Sequence, residues 1–245
     1  MAVTGDLAGE ELAAALPGRP VRSYPALLST EADARAWARA GAPAGAVVVA
    51  DYQAAARGRG GLPWTCRPGR DLGFTLILRP AITPDDEGWL YVAACVAVLD
   101  VAGGDAVIEW PDRVRRAGED VAHVAAHAGL GGEGVAWAVV NVLVVDPGPP
   151  RGPLLARLVA ALEAVQLPSA GVLARFGERC STLGRDVVAH VIPTWPDGVR
   201  LTGTAVGVKE DGALVLEEPA GGRRIAVRPQ HLARLEARDA PAPPG

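Results

Sequence analysis

The chain has 245 residues, 49% of them hydrophobic and 21% charged, which is the balance of a folded globular protein and not of a disordered one. A net charge of −4 without any basic block argues against electrostatic nucleic-acid binding. The 24 basic residues include a single lysine, Lys209, and there is also a single asparagine, Asn141, so chemistry that needs a lysine before position 209 is excluded.

Met1 to Leu16 carries Asp6, Glu10 and Glu11 and no basic residue, so it lacks the charge pattern of a signal peptide. Its 6–16 segment reads as a short helix stopped by Pro17-Gly18. Ser29 or Thr30 caps a second helix, with Glu31 and Asp33 in its first turn and Gly41 after its end. The run 46–50 is short, apolar and β-branched, a buried strand. A loop from Gln53 to Arg70 follows, with six glycines or prolines and four arginines. Leu72–Leu78 is the next strand, 84–101 is helical, and 106–110 is a strand running into a turn at Pro111-Asp112-Arg113. The segments 120–127 and 135–145 read as strands joined by the turn 129–134. A Pro/Gly-rich loop then leads to an amphipathic helix over 154–165. From Asp186 the pattern becomes short strands with turns at Pro196-Asp197-Gly198, Asp211-Gly212 and Gly221-Gly222, a small β-barrel appended to an α/β unit. The tail 239–245 reads as disordered. Trp89, Trp137 and Trp195 read as core or interface residues.

Cys66, Cys95 and Cys180 have no CxxC spacing, so neither a disulfide framework nor a zinc site is indicated, and a reducing cytoplasm is expected. The 135–145 apolar run is too short to span a bilayer.

The chemistry-bearing segment is Ala56-Arg57-Gly58-Arg59-Gly60-Gly61, directly after Asp51-Tyr52-Gln53. Glycines allow backbone N–H groups close to an anion, and guanidinium groups supply paired donors for phosphate or carboxylate. The spacing is neither a P-loop nor a dinucleotide fingerprint, and a ligand-free Gly/Arg hairpin is the plainer reading of the loop alone. His123 and His127 share one face of a strand, as two metal ligands would, although a third ligand is not defined. Glu109 and Asp112 are an acid/base pair or, more simply, a solvated strand end.

Residues 50–61, Trp64 and the strand ending Leu78-Arg79-Pro80 together resemble the signature region of the biotin protein ligases, within the biotin/lipoate ligase superfamily. Ser29-Thr30 falls at that family's Ser-Thr-Asn, Trp110-Pro111 at its Lys-Trp-Pro-Asn-Asp, and Asn141 at the asparagine of its Gly-Ile/Leu-Asn strand. Cys180 to Arg185, followed by Gly203, Ala205, Gly207 and Asp211-Gly212, resembles its C-terminal SH3-like domain. The resemblance covers about residues 20–235 and implies an α+β fold. Its parts would be an N-terminal extension (1–20), a catalytic domain of mixed sheet and helices (21–184), an SH3-like barrel (185–236) and a tail (237–245).

It implies ATP, biotin or another carboxylic acid, and Mg2+ as ligands, with transfer through an acyl-adenylate to a lysine of a carrier-protein domain. Ser29, Thr30 and Gln53 would lie in the acid pocket, Arg57, Gly58 and Arg59 would close over the carboxylate and phosphate, Trp64 would flank adenine, and Asn141 would help hold the nucleotide. Neither DNA nor a membrane is an expected partner, since the α/β pattern starts near residue 20 without a preceding helix-turn-helix, and either monomer or homodimer is compatible. The departures fall at ligand positions. Both family lysines are acids here, Glu109 and Asp120, and a glycine against which biotin's ring would lie is His123. Such acids would repel the substrate anions, so Glu109→Lys is expected to raise biotin activation. A same-fold ligase for a different acid, cationic for instance, and a non-catalytic homologue are the alternatives.

Overall fold

The computed structural model describes residues 5–132, 134–165, 168–192, 198–219 and 221–238. Its first unit is a mixed seven-stranded sheet built from β1 (Val21–Tyr24), β2 (Val47–Ala50), β3 (Leu72–Leu78), β4 (Val107–Glu109), β5 (Arg113–Arg116), β6 (Glu119–Gly131) and β7 (Gly134–Val144), in the order β1-β2-β3-β7-β6-β5-β4. Only β1 and β2 run parallel.

Strand periodicity divides the side chains between the two faces of this sheet. Leu72, Phe74 and Leu76 of β3, Val140, Val142 and Val144 of β7, and Ala122 and Val124 of β6 join one large core. That core is covered by α3 (Gly88–Ala102) and α4 (Arg151–Ala164), with α5 (Ala170–Arg179) beside them. Every residue of α3 from Gly88 to Leu99 is buried, as expected of a helix without a polar face. On the other face, α2 (Thr30–Arg39) buries Ala34 and Ala38 against Val48, Ile77 and Val139. Ser29 caps α2, its Oγ accepting from the Ala32 N–H at 3.4 Å. Strand register puts Gly73, Thr75, Asn141, His123 and His127 on this second face with Ile77 and Val139.

The described residues 5–20 pack onto this unit. Leu7, Leu12 and Leu16 on and around α1 (Gly9–Ala15) are buried in the large core, and the buried Arg151 pairs with Asp6 at 2.8 Å and with Asp51 at 2.7 Å.

The second unit is a five-stranded antiparallel sheet of β8 (Asp186–Val191), β9 (Arg200–Val208), β10 (Leu214–Glu217), β11 (Arg224–Val227) and β12 (Leu232–Ala237), ordered β11-β10-β9-β8-β12. Where the sequence leads one to expect a closed barrel, β11 and β12 form two edges, and no pairing among the described residues joins them. Trp110 locks the units together. Its backbone N–H donates to Thr182 Oγ1 at 2.9 Å and its indole Nε1 to the Gly212 carbonyl at 3.0 Å.

Trp195, the Pro196-Asp197 part of the expected turn, and the tail 239–245 lie outside the described residues. Three elements are additional to the sequence reading. β1 is a four-residue strand between Pro20 and Pro25, β5 starts at Arg113, the last residue of the expected turn, and runs to Arg116, and α5 contains Gly171 and Gly177 but anchors itself through buried Phe176. Among the described residues no helix is long and apolar enough to cross a membrane.

Candidate functional site

A chain of buried polar side chains crosses the second face of the sheet. The Thr30 N–H donates to Gln53 Oε1 at 2.8 Å, and the Thr30 hydroxyl reaches the same oxygen at 3.0 Å. Thr75, which β3 register sets opposite Asn141, places its hydroxyl 2.9 Å from that of Thr30 and 3.1 Å from Asn141 Oδ1. Asn141 Nδ2 donates to the Arg57 carbonyl at 2.8 Å. Buried polar groups persist when partnered in this way, and the result is a rigid link from the α2 N-terminus through the sheet to the Gly/Arg loop. Gly73 makes room for it, because a Cβ there would lie 2.2 Å from Gln53 Nε2.

The loop folds on itself. The Gly58 N–H bonds to the Leu62 carbonyl at 2.7 Å and the Gly61 N–H to the Gly58 carbonyl at 3.1 Å, so these amides face the loop interior and not an anion. Gly60 and Gly61 take positive φ of 61° and 78°, a region that favours glycine. Trp64 packs closely against Gly58, where a Cβ would sit 2.3 Å from the indole nitrogen.

The two arginines of the loop differ. Arg57 is exposed, and among the described residues its side chain bonds only to the Gly61 carbonyl, at 3.1 Å. Arg59 is 5% exposed, with Nε donating to Asp112 Oδ2 at 2.8 Å and Nη1 to the Leu232 carbonyl of the C-terminal unit. Its Nη2 makes no hydrogen bond among the described residues. Arg59 lines two cavities. One, of about 620 Å³, also contains Trp64, Glu109, Arg113 and His123. The other, of about 530 Å³, is walled by Leu28, Ala125 and Val139 and edged by Ser29, Arg57 and His127.

The acids Glu109 and Asp120 do not stand alone. Arg115 Nη1 donates to Glu109 Oε2 at 2.8 Å, and Arg115 Nε lies 3.1 Å from Asp120 Oδ1. Arg113, paired with Glu109 in the β4–β5 register, brings Nη1 within 3.6 Å of Glu109 Oε1. The negative charge introduced at both positions is therefore matched locally by arginines, and a cationic substrate is not needed to balance it. Glu109 and Asp112, considered above as an acid/base pair, are each held by an arginine instead.

His123 packs 5.8 Å from the Trp64 ring and His127 5.8 Å from the Trp137 ring. Burial lowers both histidines below their ordinary range. Asp120 opposes that shift at His123, while Arg35 and Arg39 add to it at His127. The two line different cavities, and no group of three His, Cys, Asp or Glu among the described residues could hold a metal. Mg2+ therefore has no ready-made protein cage here. Asp71 is a further buried acid beside the site. Burial opposes its ionisation, yet side-chain and backbone bonds from Arg67 outweigh this and hold its carboxyl below the usual range.

Thr75, Arg113 and Arg115 are absent from the sequence-derived set. The alternation Arg113-Val114-Arg115 was the available signal, since a period of two puts both arginines on one face.

No protein-family model matches the chain. Among curated proteins, the biotin--[acetyl-CoA-carboxylase] ligase of Mycobacterium tuberculosis is 30% identical over 226 residues, covering 81% of this chain and 83% of that one. This chain belongs to the biotin protein ligase family. The bifunctional ligase/repressor BirA of Bacillus subtilis is 36% identical over 101 residues, 40% of this ligase-family chain and 31% of BirA. The structure of the Aquifex aeolicus biotin protein ligase, solved with biotin and ATP, superposes with a TM-score of 0.65 at 17% identity, covering 89% of this chain and 99% of that one. At that identity the likeness establishes the biotin protein ligase-like α+β fold.

Proposed function

We propose that this family member joins a carboxylic acid, biotin or a relative of it, to ATP and passes the acyl group to a lysine of a carrier-protein domain. In the first step a carboxylate oxygen attacks the α-phosphorus, and the bond to pyrophosphate breaks. In the second the lysine amine attacks the acyl carbon, loses a proton and releases AMP. One relationship supports this reading: Arg59 lines both cavities, so a single guanidinium borders the space for an acid on the Ser29 side and for a nucleotide on the Trp64 side. Two anions have to be brought together, and a cation held in a poorly hydrated site neutralises the charge that repels them. Arg59 would use its unbonded Nη2 for this, and Arg57 would close over the acid. Trp64 would flank the adenine, and Ser29, Thr30 and Gln53 would shape the acid pocket. Asn141 would act through the loop it fastens. Mg2+ would arrive on the nucleotide phosphates, its usual mode of binding.

The C-terminal sheet is read as the family's SH3-like domain, and three free, buried cysteines fit a reducing cytoplasm. A second reading, the same reaction with a different acid, is favoured by one observation: carboxylates occupy both positions at which the family resemblance places lysines.

Biotin-dependent exchange between ATP and pyrophosphate tests the proposal. Exchange that disappears in Arg59→Ala supports biotin activation. Tight ATP binding without biotin binding, measured by calorimetry, transfers support to a different acid. Binding of neither leaves a non-catalytic homologue.

A further inference from the structure

Four arginines line the larger cavity, and three of them are already engaged by hydrogen bonds or a short ion pair. Arg59 is held by Asp112 and the Leu232 carbonyl. Arg67 donates to Asp71 from its backbone at 2.7 Å and from Nη2 at 2.6 Å. Arg234 pairs with Glu236 of its own strand. The side chain of the fourth, Arg113, makes no hydrogen bond among the described residues. Its one ionic neighbour among them is Glu109, 3.6 Å away, and that carboxylate is already bonded to Arg115 at 2.8 Å. Nearly half of the Arg113 side chain is exposed (48%), and it shares the cavity with the Trp64 and His123 rings. A planar guanidinium with free donors, beside an aromatic wall, is a site for an oxyanion carried by a flat heterocycle.

Resting on the ligase reading, we propose that Arg113 is a further phosphate-binding side chain of this cavity, beside Arg59, and contacts the triphosphate of ATP. It would do so from β5, on the strand pair that also carries Glu109. Glu109 is then no obstacle to the nucleotide, because it is drawn to Arg115 and leaves the Arg113 donors facing the cavity.

Calorimetric titration of the full chain with ATP, and with adenosine as the uncharged control, tests this in wild type, Arg113→Ala and Arg113→Lys. Arg113→Ala should weaken ATP about tenfold or more and leave adenosine within about twofold, since a charge-assisted bidentate contact is removed. Arg113→Lys, which keeps the charge and loses the fork, should fall between. The salt sensitivity of ATP binding should also drop in Arg113→Ala, a change that loss of packing alone would not produce. ATP affinity unchanged in Arg113→Ala while wild type binds would overturn the role of Arg113 and leave the ligase reading intact. An equal loss for adenosine would also overturn it, because the effect would then lie in the cavity's shape. A wild-type chain that binds no ATP would remove both.

Discussion

Arg115 stands between Glu109 and Asp120, donating to the first at 2.8 Å and lying 3.1 Å from the second, and Arg113 approaches Glu109 from the same strand. A lysine introduced at 109 would therefore meet two guanidinium groups and not a vacant anion site. Glu109→Lys removes two ionic contacts of partly exposed groups and adds like-charge repulsion, for a loss of about 1–2 kcal/mol in chemical unfolding. Biotin activation should show no gain, contrary to the expectation from charge reversal alone. The exchange Glu109→Lys, Arg115→Glu, Asp120→Lys, which keeps opposite charges on both sides of position 115, should recover part of the stability. A triple variant no more stable than Glu109→Lys would mean the pairing contributes nothing.

Asn141 fastens the loop to the sheet through the Arg57 carbonyl at 2.8 Å while accepting from the threonine pair. Asn141→Leu leaves that carbonyl without its donor, at a cost of about 1–3 kcal/mol, while Thr75 keeps its bond to Thr30 and Thr30 its bond to Gln53. The local consequence is more specific. Amide hydrogen exchange over residues 57–62 should rise by more than exchange in the C-terminal sheet. Uniform acceleration across the chain would show that Asn141 supports the fold without fastening the loop.

Gly58 and Trp64 fit so closely that even a methyl group displaces the indole. Gly58→Ala should shift Trp64 off its packing against Ala56, Cys66 and Leu143, at a cost of about 1–3 kcal/mol typical of overpacking. Near-ultraviolet circular dichroism should register the lost tryptophan environment before the far-ultraviolet signal changes. An unaltered spectrum would mean the loop yields instead of the ring.

Much of this arrangement follows from local sequence, and the rest depends on register. Leu72–Leu78 was legible because a short apolar run between turn residues has few other solutions, and α2 because Ser29, Glu31 and Asp33 mark its start. β5 was not, since Arg113-Val114-Arg115-Arg116 offers a single apolar residue and is held by ladder bonds and ion pairs. The loop residues 57–61 announced themselves by composition. That Arg59 is buried and Arg57 exposed, and that Arg115 lies opposite Asp120, are facts of strand pairing and domain contact. Thr75 reads as one polar residue in an apolar strand, and only its pairing with Asn141 gives it a place beside Thr30 and Gln53.

His123 provides a pH-dependent readout of the site. Burial lowers its affinity for a proton in the folded chain relative to the unfolded one, so the unfolded chain takes up the proton first. The neutral ring's contribution to stability is therefore fully present above the ordinary histidine value of about 6.5 and is lost as pH falls below it toward the lowered folded value. His127 is shifted in the same direction and adds to the slope. His123→Phe keeps a ring against Trp64 without a titrating group. Its midpoint of thermal unfolding should fall less than that of wild type between pH 7 and pH 5, with His123→Phe/His127→Phe flatter still. Parallel curves for wild type and His123→Phe would show that Asp120, 3.6 Å from His123 Nε2, stabilises the imidazolium enough to cancel the effect of burial.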